Sequence, residues 1–209
     1  MRTDFMREQF DIFQSPFEPQ PQTSLLGEQD IRAVVIDPPW DAERGGGKVQ
    51  RGADRHYGLL SVGQCIEVIQ HECDPWMRRV CDDAHVWIWV TNATLANGDA
   101  HELARGLGVR PITLFTWVKQ QPGGTIQKGL GQYSFGSTEH LLFCRRGEFL
   151  APRERRSTVF FAPRTEHSAK PDASFELIEA ISPGGYLEIF SRRQRPGWVV
   201  WGDEAEEGT

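Results

Sequence analysis

No apolar run in this chain approaches the ~20 residues that a bilayer-spanning helix requires. The first residues, Met1-Arg2-Thr3-Asp4-Phe5, hold no apolar signal core, so a cytoplasmic protein is expected. Cysteine is sparse. Cys65, Cys73, Cys81 and Cys144 form no Cys-x-x-Cys pair and lack His at zinc-site spacing, which predicts reduced, mostly buried thiols and no metal centre. The glycine-rich fingerprint of a dinucleotide-binding turn is missing too. Positive charge is in deficit: a formal net charge of -6 argues against indiscriminate attraction to phosphate, while a local basic cleft stays compatible with it. One stretch, Lys119 to Ser137, lacks Asp and Glu altogether.

What the chain does hold, 39% hydrophobic and 25% charged residues over 209 positions, suits one soluble α/β domain with a substantial core. Its most telling stretch is Val34-Val35-Ile36-Asp37-Pro38-Pro39-Trp40. The apolar, β-branched run reads as a strand buried on both faces, as in the centre of a parallel sheet. Two successive prolines then forbid further ladder bonding and any helix, because each lacks an N–H and fixes φ near −65°. The chain must leave the sheet in a rigid turn. That turn is expected to present acceptors only: the Asp37 carboxylate and the carbonyls of Asp37 and Pro38, with Trp40 as a flat apolar face beside them. Such a corner suits an amine on a planar ring, and the exocyclic amino group of a nucleobase is one.

Residues 1–30 form a Pro/Gln-rich arm, too rich in both for a helix or inner strand. Residues 41–56, with Gly45-Gly46-Gly47 and several basic side chains, read as a flexible loop and a candidate lid over the turn. A helix is predicted over 61–80, interrupted near Asp74-Pro75, and another over 95–107, closed by Gly108. Strands are predicted at 84–90, 111–118, 139–145, 186–190 and 199–201, a short extended run at 159–161, and a helix at 171–181. Strands alternating with helices predict a doubly wound, mostly parallel sheet, with ligands beyond the carboxyl ends of its strands. The loop after Lys119 carries Lys128, Tyr133 and Phe135, a mixture that suits contact with a nucleic-acid backbone and stacking on its bases. The end, 205–209, is an acidic tail.

The tetrapeptide Asp37-Pro38-Pro39-Trp40 resembles the catalytic signature of the MT-A70 branch of the amino-methyltransferases. The resemblance continues in order through His56-Tyr57-Gly58-Leu59-Leu60-Ser61, Val86-Trp87-Ile88-Trp89-Val90, Thr116-Trp117-Val118-Lys119, Glu139-His140, Lys170-Pro171-Asp172, Leu187-Glu188-Ile189-Phe190-Ser191-Arg192 and Pro196-Gly197-Trp198 to Trp201-Gly202-Asp203. It covers roughly residues 31 to 204, the extent expected for the methyltransferase domain.

The resemblance implies a Rossmann-like, S-adenosylmethionine-dependent methyltransferase with a circularly permuted motif order, acting on the exocyclic amine of adenine. It implies catalytic roles for Asp37, Pro38, Pro39 and Trp40, and substrate contacts for Tyr57, Lys119 and Glu139. Cofactor contacts are implied for Asp37, Lys170, Glu188, Phe190, Arg192, Gly202 and Asp203, with Lys170 facing the methionine carboxylate and Arg192 the ribose. DNA is the expected substrate, with RNA as the alternative. A catalytically silent, nucleic-acid-binding partner subunit is a third reading, but such partners tend to lose the Asp and Lys that stand here as Asp37 and Lys170. A chain without a separate target-recognition domain could rely on a second copy or a partner subunit.

Overall fold

A computed structural model describes residues 30–40, 59–129, 133–164 and 169–202. The apolar run folds as expected, into strand β1 (Ile31–Ile36), and its alternation explains why both faces are buried. Val34 and Ile36 join one hydrophobic cluster and Val35 the other, on opposite sides of the sheet. The remaining strands are β2 (Val80–Val90), β3 (Arg110–Gln120), β4 (Thr138–Arg146), β5 (Val159–Pro163), β6 (Tyr186–Ile189) and β7 (Trp198–Trp201). They make one sheet in the order β5-β3-β4-β2-β1-β6-β7.

The sheet is mixed. β1 pairs in parallel with β2 and β6, β6 with β7, and β3 with β5. β4, however, runs antiparallel to both β2 and β3. The physical reason is its connection: among the described residues no helix crosses over between β3 and β4, so the chain returns beside β3 in the opposite sense. This reversal brings the start of β4, rather than its end, to the rim where β1, β2, β3 and β6 finish.

Helices cover the two faces unequally. On one side lie α1 (Val62–Glu67), a π-helical turn (Val68–Glu72), α2 (Asp74–Met77), α3 (Asn92–Asn97) and α4 (Asp99–Gly106); on the other lies α5 (Asp172–Ile181). The predicted helix over 61–80 starts where its cap places it, with Ser61 and Gln64 closing a reciprocal capping box. The predicted helix over 95–107 is two helices, because Gly98 sits at φ 88 between them, a left-handed conformation that ends α3. No helix among the described residues is long and apolar enough to cross a membrane. Cys65, Cys73 and Cys144 are buried thiols and Cys81 is half-buried; none of the four is in a disulfide.

Candidate active site

The end of β1 sets the site. The Asp37 N–H still donates to the Ile189 carbonyl at 3.2 Å, the last rung shared with β6, and the prolines then stop the ladder. Beyond them the turn is tighter than the sequence implied. Trp40 N–H donates to the Pro38 carbonyl at 2.9 Å, and Leu60 N–H donates to that of Pro39 at 2.9 Å. The Pro38 carbonyl is therefore already engaged within the turn, contrary to the expectation of an unclaimed acceptor. Trp40 is half-buried, its indole N–H fixed to the Trp89 carbonyl at 2.9 Å, so its ring plane is locked to the end of β2.

Four charged side chains meet in front of this turn. Lys170 Nζ lies 2.9 Å from Asp37 Oδ1 and 3.4 Å from Glu139 Oε2. The other Glu139 oxygen accepts from Lys119 Nζ at 2.6 Å. Lys170 stands over the Trp89 ring at 5.0 Å and Lys119 over the Trp117 ring at 5.1 Å, so aromatic faces help hold both cations. Two carboxylates and two ammoniums neutralise each other, and between 15% and 23% of each side chain remains accessible.

The electrostatics follow from burial. Desolvation pushes the Asp37 carboxyl above its ordinary range, and the nearby Lys170 charge only partly opposes it. Burial acts the same way on Glu139, but the charges of Lys170 and Lys119 together outweigh it and hold Glu139 below its usual value. For Lys170, desolvation alone would lower the ammonium, yet the two carboxylates beside it win and hold it up, so it stays charged.

Glu139 is oriented from behind. The adjacent His140 accepts or donates at both ring nitrogens, to Thr116 Oγ1 at 3.0 Å and to Asn92 Oδ1 at 2.9 Å. The Asn92 amide in turn donates to the Thr138 carbonyl and hydroxyl at 3.3 and 3.2 Å, tying the start of β4 to the end of β2. Burial lowers His140, favouring the neutral ring.

On the β6 side Glu188 is 6% exposed. Its Oε2 has no hydrogen-bond partner among the described residues, and burial, then the Asp37 charge, push its carboxyl to about 7. Phe190 takes φ 64, a left-handed conformation unusual for a bulky residue, and packs edge-on to Trp201 with ring centroids 5.7 Å apart. Gly202 lies against the backbone of Ser191, where any Cβ would drive into the Ser191 carbonyl oxygen. Arg192 is half-buried, and its charge reaches Asp37. Arg195 lays its guanidinium on the Phe175 ring, 3.4 Å from the centroid, with Nη1 3.3 Å from Asp172.

The structure thus brings Asp37, Lys119, Glu139 and Lys170 into one cluster and sets Glu188, Phe190 and Arg192 at the end of the neighbouring strand. Lys119 faces Glu139 instead of standing free for a phosphate. Gly202 is a packing position. Tyr57, Asp203, the arm at 1–29, the loop at 41–58 and the acidic tail lie outside the described residues. Sequence reasoning missed Trp89, Asn92, Thr116 and Arg195. Asn92 carried a faint signal, since it directly follows an apolar strand on the expected rim, but its partners are distant in sequence.

The family model described as MT-A70 matches residues 31–204. The "N6-methyladenosine RNA methyltransferase MTA1" of Cryphonectria parasitica is 27% identical over 176 residues, which cover 82% of this chain and 50% of that protein. The human "N(6)-adenine-specific methyltransferase METTL4" is 28% identical over 184 residues, 82% of this chain and 36% of that protein. The human "N(6)-adenosine-methyltransferase catalytic subunit METTL3" is 26% identical over 193 residues, 88% of this chain and 29% of that protein. The chain therefore spans half or less of the length of these relatives.

Proposed function

The chain belongs to the MT-A70 family, and from that premise we propose that it transfers the methyl group of S-adenosylmethionine to the exocyclic amine of adenine in DNA. The observation that carries this reading is the Asp37–Lys170–Glu139–Lys119 cluster beside the rigid Pro38-Pro39 turn. It retains both the Asp and the Lys that the silent-partner reading expects to be lost, paired at 2.9 Å at the end of the central strands.

The donor set fits the cofactor. Its methionine end carries a carboxylate, its centre a cation and its ribose two hydroxyls. An ammonium has three donors, and two of those on Lys170 face Asp37 and Glu139, which leaves the third for a ligand carboxylate. The unpartnered Glu188 Oε2 and the neighbouring Arg192 offer an acceptor and a donor at the end of β6 for hydroxyls. Because β6 follows β1 in the chain, the cofactor motif would follow the catalytic one, a circular permutation of the usual methyltransferase order. When bound, S-adenosylmethionine supplies a methyl group already activated on a sulfonium.

What this chain adds is alignment. The exocyclic amine of adenine has its lone pair delocalised into the ring, so the nitrogen must be held by acceptors that draw it toward tetrahedral geometry. The Asp37 carboxylate accepts one amine proton. The carbonyls of Asp37 and Pro38 are the candidates for the other, since the Pro38 oxygen keeps a second lone pair beside its bond from Trp40 N–H. The locked Trp40 ring flanks the base, and Lys170 favours the charged form of Asp37 and aims it. In duplex DNA the base must first be flipped out, at a cost of a few kcal/mol.

The same chemistry on RNA is the second reading, favoured by the RNA-directed name of the Cryphonectria parasitica relative. The test is incorporation of labelled methyl from S-adenosylmethionine into matched single-stranded DNA, duplex DNA and RNA, with Asp37→Ala alongside. Label recovered as methyladenine and lost in the variant is the expected result, and the preferred polymer decides between DNA and RNA. Cofactor binding without transfer to any polymer would sink the catalytic reading.

A further inference from the structure

Residues 119–137 contain no Asp or Glu in a chain whose net charge is -6. The described part of this stretch is rooted in the site. Gln127 N–H donates to the Lys119 carbonyl at 2.8 Å, and Lys119 N–H donates to the Ser137 carbonyl at 2.9 Å. Both flanks thus hang from the residue whose side chain reaches Glu139. Gly129 and Gly136 touch backbone to backbone, since a Cβ on Gly129 would collide with the Gly136 carbonyl oxygen, so the flanks are pinched together. Beyond the pinch Tyr133 is 100% exposed and Phe135 65% exposed, while Lys128 Nζ stands 5.4 Å over the Phe135 ring. Rings left this open gain nothing from the core. A cation on the face of one of them, in a stretch of chain without Asp or Glu, matches the alternation of phosphate and base in a nucleic-acid strand.

We propose that Lys128, Tyr133 and Phe135 form a base-stacking platform that holds the unpaired strand flanking the target adenine, a role that rests on the nucleic-acid substrate proposed for the site. Every base has a π-face, so this platform is tolerant of sequence and needs single-stranded or locally opened substrate. Its glycine neck, Gly129 against Gly136, lies between flanks bonded to Lys119, whose side chain reaches Glu139 in the site.

Oligothymidylate isolates the platform, because it offers bases to stack and no adenine to methylate. Anisotropy of a fluorescein-labelled oligothymidylate is measured with the full chain, with Tyr133→Ala/Phe135→Ala and with Tyr133→Phe/Phe135→Tyr, and calorimetry follows S-adenosylmethionine on all three. Each ring removed should weaken strand binding about five-fold or more, the ring-conserving pair should bind within about two-fold of the parent, and cofactor affinity should not change. Equal binding by the alanine pair and the parent overturns the platform, as does an absence of binding by the parent. A ring-conserving pair as weak as the alanine pair overturns stacking. A shift from dimer to monomer in sedimentation, confined to the alanine pair, assigns the rings to a protein contact instead. Methyl transfer to adenine-containing strands is scored separately. Transfer with ring-independent binding removes the platform alone, and ring-dependent binding without transfer removes the catalytic reading alone.

Discussion

Lys170 is the residue on which the charge cluster turns, because it separates two carboxylates that otherwise face each other. Removing one partner of a buried ionic group costs more than the group's net worth, since the others are left uncompensated. Lys170→Ala is therefore expected to destabilise the fold by about 3 kcal/mol at neutral pH in urea titrations. The sign of its pH dependence follows. Without the ammonium, Asp37 loses the charge that opposes its raised value and Glu139 keeps only Lys119 to hold it down, so the protonated form of Asp37 stabilises at low pH and that support is lost as pH rises; the variant's deficit should narrow on acidification. Asp37→Asn/Lys170→Met should recover stability without recovering methyl transfer. Glu188 gives a cleaner reading. Its carboxyl is raised from 4.5 to about 7, so the stability of its neutral form is fully present below 4.5 and is lost as pH rises through 7. Glu188→Gln should flatten the thermal midpoint across that window, and at ~1.4 kcal/mol per pH unit the gain above pH 7 is roughly 3 kcal/mol. A midpoint that falls as steeply in Glu188→Gln as in the parent would show that another group carries the dependence. Asp37, Glu139 and Lys170 were each legible in the sequence through motif resemblance. Their pairing was not, because it joins three elements far apart in the chain, and the Asn92–His140–Thr116 relay behind Glu139 likewise joins partners distant in sequence.

At the scale of elements, the site depends on how β6 and β7 end. Phe190 is held in a left-handed conformation, and Ser191 N–H donates to the Trp201 carbonyl at 2.9 Å, which presses Gly202 onto the turn. Two glycines near this end make a controlled pair. Gly197 has φ 79 and open space around its missing side chain, whereas at Gly202 a Cβ would meet backbone. Gly197→Ala should cost about 1 kcal/mol in strain alone and leave cofactor affinity intact. Gly202→Ala should cost about 2 kcal/mol by overpacking and weaken cofactor binding by displacing Ser191 and Arg192; calorimetry with S-adenosylmethionine separates the two. Most strands were legible because their runs are apolar and β-branched, a pattern that survives any tertiary context. The direction of β4 was not, since strand sense is set by the connection and not by the strand's own residues. The break at Gly98 and the π-helical turn before Cys73 were also hidden, as both interrupt patterns that remain amphipathic across them.

For the whole molecule, charge decides how a nucleic acid can be held. Lys119 and Lys170 are engaged by carboxylates within the site, Arg193 and Arg195 by Asp172, Arg79 by Asp30, Arg78 by Asp74 and Arg156 by Glu154. The net charge is -6, and these seven cations among the described residues already face carboxylates, which weakens what they can offer a phosphate track. The proposed platform and corner then assign most of the affinity to stacking and to the seated base. Single strands release about 0.7 counterion per phosphate neutralised, so two or three contacts around Lys128 predict a slope of about −2 for log affinity against log salt. A binder with six to ten phosphate contacts would give a slope several times steeper. Anisotropy titrations of single-stranded DNA across a salt series check this directly. A steep slope would place a basic surface among the arginines at 153–156, on the α5 side, and would make the strand's path long and electrostatic. A shallow slope confines recognition to the rim, so that the few nucleotides around the target adenine carry the binding.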